Sequence, residues 1–436
     1  MKNILIISPH YPPSNLAAVH RSRLFAQHLP AFGWNPIILS VHEDFYEEAL
    51  DWNLHKLIPA NQRIEKVSAF KVGKPRLVGD IGLRAYFQLR RRALELIRSE
   101  KIDFVYIPIP SFYTALIGPY LFKKTGVKYG IDYIDPWVHQ FPGSNKLFSR
   151  HWFSTQLANF LEPIAVKHAS LITGVSEGYY KAVIERNPHL KQQAITAAMP
   201  YGGEEGDHDF IRQGTSDWGQ GTGVLISEKR ENIFRFVYAG AMLPKAYKPL
   251  EEIFKALSLL QPLQPLQPLQ RPSTSLNLPQ PEFHFIGTLG TIKPLAEKYG
   301  LNNTVVFEYP DRIPYLDVLK NIEATDGVFI LGSTEPHYTP SKVYQGVLSQ
   351  KPILAVLHQE STAVKVLQES KAGQSVLMDG ENDLDTLGER FIQQLQEYLY
   401  WAVSFDPNSV NKQAFEPYTA KAVTKVLIDA IEKCLK

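Results

Sequence analysis

The sequence predicts two doubly wound, Rossmann-like α/β domains in tandem. Short apolar runs alternate with segments of helical apolar spacing from Asn3 to about Pro200, and the same alternation restarts after a glycine-rich break. Length agrees: 436 residues, 44% of them hydrophobic, exceed one ordinary core.

In the first half the strands read NILIIS, NPIILSV, DFVYIPI, KYGIDYI and LITGVS. Helical spacing is carried by Leu24, Phe25, His28 and Leu29, and later by Phe153, Leu157, Phe160, Leu161 and Ile164. Apolar strands separated by helices imply parallel pairing with helices on both faces. From Tyr201 to about Glu231, glycines stand among mostly polar residues without periodicity, as in a linker or loop. The second half gives FRFVYAG, FHFIG, TVVFEY, GVFILGS, KPILAVL and SVLM, again separated by helices. Val423, Val426, Leu427, Ile431 and Leu435 mark a last helix able to pack on either domain. The expected division is 1–203 and 232–410 for the domains, 204–231 for the linker and 411–436 for the terminal helix. One segment is foreign to this plan. Gln261 to Leu269 reads QPLQPLQPL, inside an insertion spanning 261–281. Closely spaced prolines cannot continue a helix, so it reads as a surface insertion, with a polyproline ligand as the other reading.

Composition excludes several classes. The 46 basic and 44 acidic residues nearly balance, so nucleic acid is not an expected partner. The single cysteine, Cys434, allows no internal disulfide and suits a reducing, cytoplasmic compartment. The apolar run Ile4 to Ile7 is interrupted by His10, Tyr11, Pro12 and Pro13, too early for a signal peptide. No stretch reaches the roughly 18 apolar residues of a membrane span. From Lys74 to Lys101, Arg76, Arg84, Arg90, Arg91, Arg92 and Arg98 alternate with apolar residues. This is either a solvated helix face or a peripheral contact with anionic headgroups at the inner face of the plasma membrane.

Ligands of open α/β sheets bind beyond the carboxyl ends of the strands. After FRFVYAG, the loop AMLPKAYKP brings Lys245 and Lys248 ahead of a helix expected to start at Pro249. After GVFILGS, the loop TEPHYTPSKVYQ offers Ser341 as an N-cap and Lys342 at the next helix start. A lysine at the positive end of a helix is unfavourable unless an anion offsets it. Two such loops in one sheet could grip a diphosphate; the plainer reading is solvated lysines. In the first half, Asp135 ends KYGIDYI, and His10 and His139 lie in loops. Each could position a substrate, cap a turn or sit on the surface.

The chain resembles bacterial family 4 glycosyltransferases over almost its full length outside the insertion. The resemblance rests on SPHYPPSNLAAVHRSRLFAQHLPAFGWNPIIL at the start, IDPW at Ile134 to Trp137, LEPIAVKHASLITGVSEG at Leu161 to Gly178, and MPYGG at Met199 to Gly203. It continues with YAG followed by Lys248-Pro249, and with SKVYQGVLSQKPIL, similar to the PSK-type form of the family's acidic motif. It implies a GT-B fold, with an acceptor-binding N-terminal domain facing a nucleotide-sugar-binding C-terminal domain across a cleft. It also implies retaining, metal-independent sugar transfer with no cofactor beyond the nucleotide-diphosphate sugar. The acceptor would be a cell-surface glycan or a lipid-linked molecule. By the same resemblance Asp135, Lys248 and Lys342 are catalytic candidates. Lys245, Lys248, Glu335, Ser341, Lys342 and Gln345 would bind the donor, and His10, Asn15, Asp135 and His139 the acceptor. Departures from the pattern concentrate in the donor motif. The ribose-binding glutamate position holds Gln345, eight residues earlier stands His337, Glu335 is out of register by two, and proline follows Lys248. A non-catalytic sugar-nucleotide-binding or scaffold homologue therefore stays as an alternative, with a nucleotide-sugar epimerase behind it.

Overall fold

A computed structural model describes residues 1–73, 78–138, 146–214, 223–226, 229–259 and 278–436. The proline-rich repeat, His139 and residues 74–77 of the basic stretch lie outside the described residues. The chain divides into two compact units, one of Met1–Gly202 with Ala420–Lys436, the other of Gly203–Thr419.

The first unit is built on β1 (Lys2–Ile7), β2 (Trp34–Val41), β3 (Arg63–Val67), β4 (Phe104–Ile109), β5 (Tyr129–Tyr133), β6 (Leu171–Gly174) and β7 (Ile195–Ala198). They form one parallel sheet in the order β3-β2-β1-β4-β5-β6-β7. Strands β1, β2, β4, β5 and β6 are buried almost throughout, which is why each reads as a continuous apolar run. The edge strands β3, RIEKV, and β7, ITAA, escape that signal because they are half-exposed. The terminal helix Ala420–Leu435 buries Val423, Leu427 and Ile431 against Ile4, Phe25, Trp34 and Leu171. A buried ion pair ties the first helix, Ala17–His28, to β5: Arg21 donates through Nη2 to Asp132 at 3.0 Å and through Nη1 to the Pro200 carbonyl at 2.8 Å.

The helix Arg150–Val166 forms where its spacing predicts; Leu161 packs against the core, yet the rest of the stripe points away from it. Ala158, Glu162, Ala165 and Val166 are buried, whereas Phe153, Leu157, Phe160 and Ile164 are exposed.

The second unit holds β8 (Ile233–Ala239), β9 (Gln280–Ile286), β10 (Val306–Tyr309), β11 (Gly327–Leu331), β12 (Ile353–His358) and β13 (Gly373–Met378). They are again parallel, in the order β10-β9-β8-β11-β12-β13. An aromatic core of Phe236, Phe283, Phe285, Phe329, Phe391 and Tyr398 fills one face. Within the stretch read from sequence as linker, Glu205–Arg212 is a helix capped by the Glu204 carboxylate, which accepts from the Gly206 amide at 3.1 Å. It is a single short polar element beside glycines, so periodicity had too few residues to register. In both sheets the strand order reverses beside the first strand, between β1 and β4 and between β8 and β11, where α/β sheets place ligands. No helix among the described residues is long and apolar enough to cross a membrane.

Candidate functional site

The β8/β11 switch point gathers the clearest site. Lys342 opens the helix Lys342–Leu348, and its Nζ lies 4.5 Å from the Tyr238 ring centroid and 3.3 Å from the Tyr238 hydroxyl. That hydroxyl donates to the Ala241 carbonyl at 3.1 Å, so it receives the lysine through a lone pair. Gly240, at φ +115°, lets the chain pass beneath: a Cβ there would stand 3.0 Å from Lys342 Cε and 3.3 Å from Nζ. Among the described residues no carboxylate pairs with this ammonium. Burial pushes its pKa below the usual lysine value, against a small opposing effect of Tyr338. Two of its three N–H donors are therefore left for a ligand.

The neighbouring lysines differ. Lys245 Nζ is 3.0 Å from the Glu335 carboxylate, which joins the loop after β8 to the loop after β11. Lys248 is exposed and 2.5 Å from Glu381. Its helix starts at Tyr247, so Lys248 sits within the first turn and Pro249 is the third residue, later than the sequence suggests. Ser341 has αR dihedrals and makes no cap bond with its hydroxyl. The turn has already begun, since the Val343 amide donates to the Pro340 carbonyl at 3.1 Å.

Gln345, one turn beyond Lys342, enters a chain of hydrogen bonds that sequence reasoning missed. Its Oε1 lies 3.0 Å from His208 Nε2, and its Nε2 donates to the Tyr315 hydroxyl at 2.9 Å. His208 Nδ1 lies 2.7 Å from Glu323, and Tyr315 donates to Asp207 at 2.8 Å. Arg212 also reaches Glu323, at 2.9 Å. Burial alone would raise the Glu323 pKa, but the hydrogen bond from His208 and the charges of Arg212 and His208 hold it below the usual carboxylate value. The helices Glu205–Arg212, Tyr315–Ala324 and Lys342–Leu348 are thus tied together behind Lys342. Only the run DHD at Asp207 to Asp209 hinted at this chemistry in sequence.

In the first unit His10 follows β1, its Nδ1 2.8 Å from Glu48. Ser14 donates to the same carboxylate. Burial would raise the Glu48 pKa, yet the His10 hydrogen bond and charge, with the Ser14 hydroxyl, bring it down to about 2. Asn15 Oδ1 is 3.0 Å from His20 Nε2. Asp135 is exposed two residues beyond the end of β5. The basic stretch is largely committed internally. Arg84 donates to the Phe70 and Phe45 carbonyls, Arg92 pairs with Glu65 and Glu95, and Arg90 lies over the Tyr120 ring at 4.5 Å.

Two parallel-sheet units of this kind define a class of architecture, the GT-B fold, and solved structures agree. A glycosyltransferase from Rickettsia africae matches 100% of this chain and 99% of its own, with a TM-score of 0.58 at 14% identity. Anabaena HepE in complex with UDP matches 99% of this chain and 100% of its own, with a TM-score of 0.56 at 14% identity. The lipopolysaccharide outer core galactosyltransferase WaaB matches 99% of both chains, with a TM-score of 0.52 at 13% identity. Identities this low speak for the fold. No protein-family model and no curated protein sequence matches the chain.

Proposed function

We propose that this chain is a glycosyltransferase that holds a nucleotide-diphosphate sugar on its second unit. The observation that carries the reading is Lys342: a partly desolvated ammonium with no carboxylate partner among the described residues, over Gly240, at the switch point of a GT-B sheet. An anionic diphosphate is the ligand class that would offset its cost. The structures of HepE with UDP and with UDP-glucose make uridine nucleotides the first to try.

In this reading the sugar–phosphate bond breaks as the leaving diphosphate gains negative charge, and Lys342 stabilises that charge without a metal. Lys245 and Glu335 brace the two loops around it, Ser341 borders the ammonium, and Lys248 reaches the phosphates by exchanging Glu381 for them. Gln345 acts through the hydrogen-bonded chain that orients the Lys342 helix. The acceptor, a surface glycan or a lipid-linked molecule, is assigned to the first unit, with Asp135, His10 and Asn15 as its contacts. Transfer is retaining, as the family 4 resemblance implies. Calorimetric titration with UDP, GDP and their hexose conjugates tests donor binding, and failure of every one to bind removes the reading.

A second reading has its own observation. Gln345 offers no charge to a ribose, and both ends of its amide are occupied. A sugar-nucleotide-binding scaffold would need nothing more. Slow hydrolysis of a bound donor without acceptor marks a live transferase; binding without any turnover marks the scaffold.

A further inference from the structure

The helix Arg150–Val166 carries an exposed apolar face. Phe153, Leu157, Phe160 and Ile164 are 56, 43, 69 and 43% exposed, and their three- and four-residue spacing places them on one narrow side. Leu147 and Phe148, just ahead of the helix, are 67 and 75% exposed. Phe148 also lies against Trp152 and Phe153, with ring centroids 5.6 and 6.3 Å apart, so the aromatic cluster continues around the helix start. Single exposed hydrophobics are ordinary; a continuous row of this size marks a docking surface.

The charges around the row indicate its occupant. Lys146 and Arg150 are exposed at its start and Lys167 at its end. Ser154, Gln156 and Asn159, which flank it, are exposed and neutral. The helix's own carboxylate, Glu162, is buried and turned inward to Arg186 at 2.8 Å. A second copy of this face would bring cations against cations at the ends, whereas an anionic surface meets both the cations and the apolar row. We propose that this face docks on an anionic phospholipid bilayer, with the helix in the interfacial plane and its phenyl rings at the acyl boundary. The surface differs from the basic stretch, whose arginines are mostly engaged within the unit. It stands on this helix alone and does not depend on the sugar-transfer reading.

Flotation of the full chain with vesicles tests it. The wild type should float with an equimolar mixture of phosphatidylglycerol and phosphatidylcholine, less with phosphatidylcholine alone, and less as salt rises. Combining Phe153→Ser with Phe160→Ser should cut vesicle partitioning by about tenfold or more. Phe70→Ser, at a residue 60% exposed elsewhere, should leave it unchanged. Lys146→Gln with Arg150→Gln should weaken binding and flatten the salt dependence. Unchanged thermal melting and UDP titration in these variants separate the surface from fold and donor site. The proposal is overturned if wild type stays with the lipid-free fraction, or if the double phenylalanine variant floats equally well. It is also overturned if light scattering shows a wild-type dimer that this variant dissolves, which would make the occupant a second copy.

Discussion

Gln345 accepts a 3.0 Å hydrogen bond from His208 at the position where the family 4 resemblance expects a carboxylate facing a ribose. The direction of that bond follows from its neighbours. The Asp207 carboxylate can only accept, so the single Tyr315 proton points to it. Tyr315 must then accept from the Gln345 amide, which turns Gln345 Oε1 toward His208. Glu323 lies 2.7 Å from His208 Nδ1, so the imidazole bridges a carboxylate and the Gln345 amide oxygen.

Replacing Gln345 should therefore cost stability before it changes nucleotide affinity. Gln345→Leu leaves a buried imidazole N–H of His208 unsatisfied and removes the amide donor from the Tyr315 oxygen, worth about 1–3 kcal/mol. Gln345→Glu gives the single Tyr315 proton two carboxylates to serve and should also destabilise, while UDP affinity stays within about threefold, under roughly 1 kcal/mol. Urea denaturation and calorimetry check both. A tenfold tighter complex in Gln345→Glu would return the residue to the ribose.

Both sheets were legible because their central strands are buried on two faces, which writes unbroken apolar runs such as NILIIS and GVFILGS into the chain. The edge strand RIEKV was not, since half-exposed residues carry no such mark. In the loops after β8 and β11 the sequence singled out Lys245, Lys248 and Lys342 together, the last two also as catalytic candidates. Their partners differ by contacts distant in sequence, Glu335 and Glu381 for two of them and Tyr238 for the third, which no local pattern encodes. The His208 chain was hidden for the same reason: its bonds span 108, 115 and 137 residues. The apolar spacing of Arg150–Val166 revealed a helix without revealing which side faces water, because periodicity reports a stripe and not its partner.

Lys342→Met should weaken UDP binding by about thirty- to a hundredfold, the loss of one charge-assisted contact to the diphosphate. Folding stability should hold or rise slightly, because the substitution removes a desolvated ammonium that makes no ion pair among the described residues. Lys248→Ala should cost far less, since that lysine is exposed and already held by Glu381. Parallel calorimetric titrations and thermal melts compare the three proteins. Equal affinities across them would take Lys342 out of the donor site.

The depressed Lys342 pKa predicts a pH dependence with a definite sign. Burial favours the neutral amine in the free protein, and a bound diphosphate favours the ammonium, so binding raises the pKa. UDP affinity should be full at lower pH and fall as pH rises through the free protein's depressed value. Between that value and the raised pKa of the complex, binding takes up a proton. Titration in two buffers of different ionisation enthalpy measures the uptake. Lys342→Met should abolish it, and a wild type showing no uptake at any pH across the titration would contradict the assignment.

The His10–Glu48 contact supplies a separate test in the first unit. Glu48 falls from a model-compound value of 4.5 to about 2, so the folded state binds its proton more weakly than the unfolded state does. Its stabilisation is present above the unfolded value and is lost as pH falls toward the folded one. Glu48→Gln keeps the shape and removes the charge beside His10, and it should lower stability at neutral pH by about 1–3 kcal/mol. The difference from wild type should shrink as the pH drops from about 5 toward 2, where both proteins carry a neutral group at this position. Urea denaturation at a series of pH values measures it. A gap that stays constant over that range would mean the His10–Glu48 contact contributes through packing, with no part played by the carboxylate's charge.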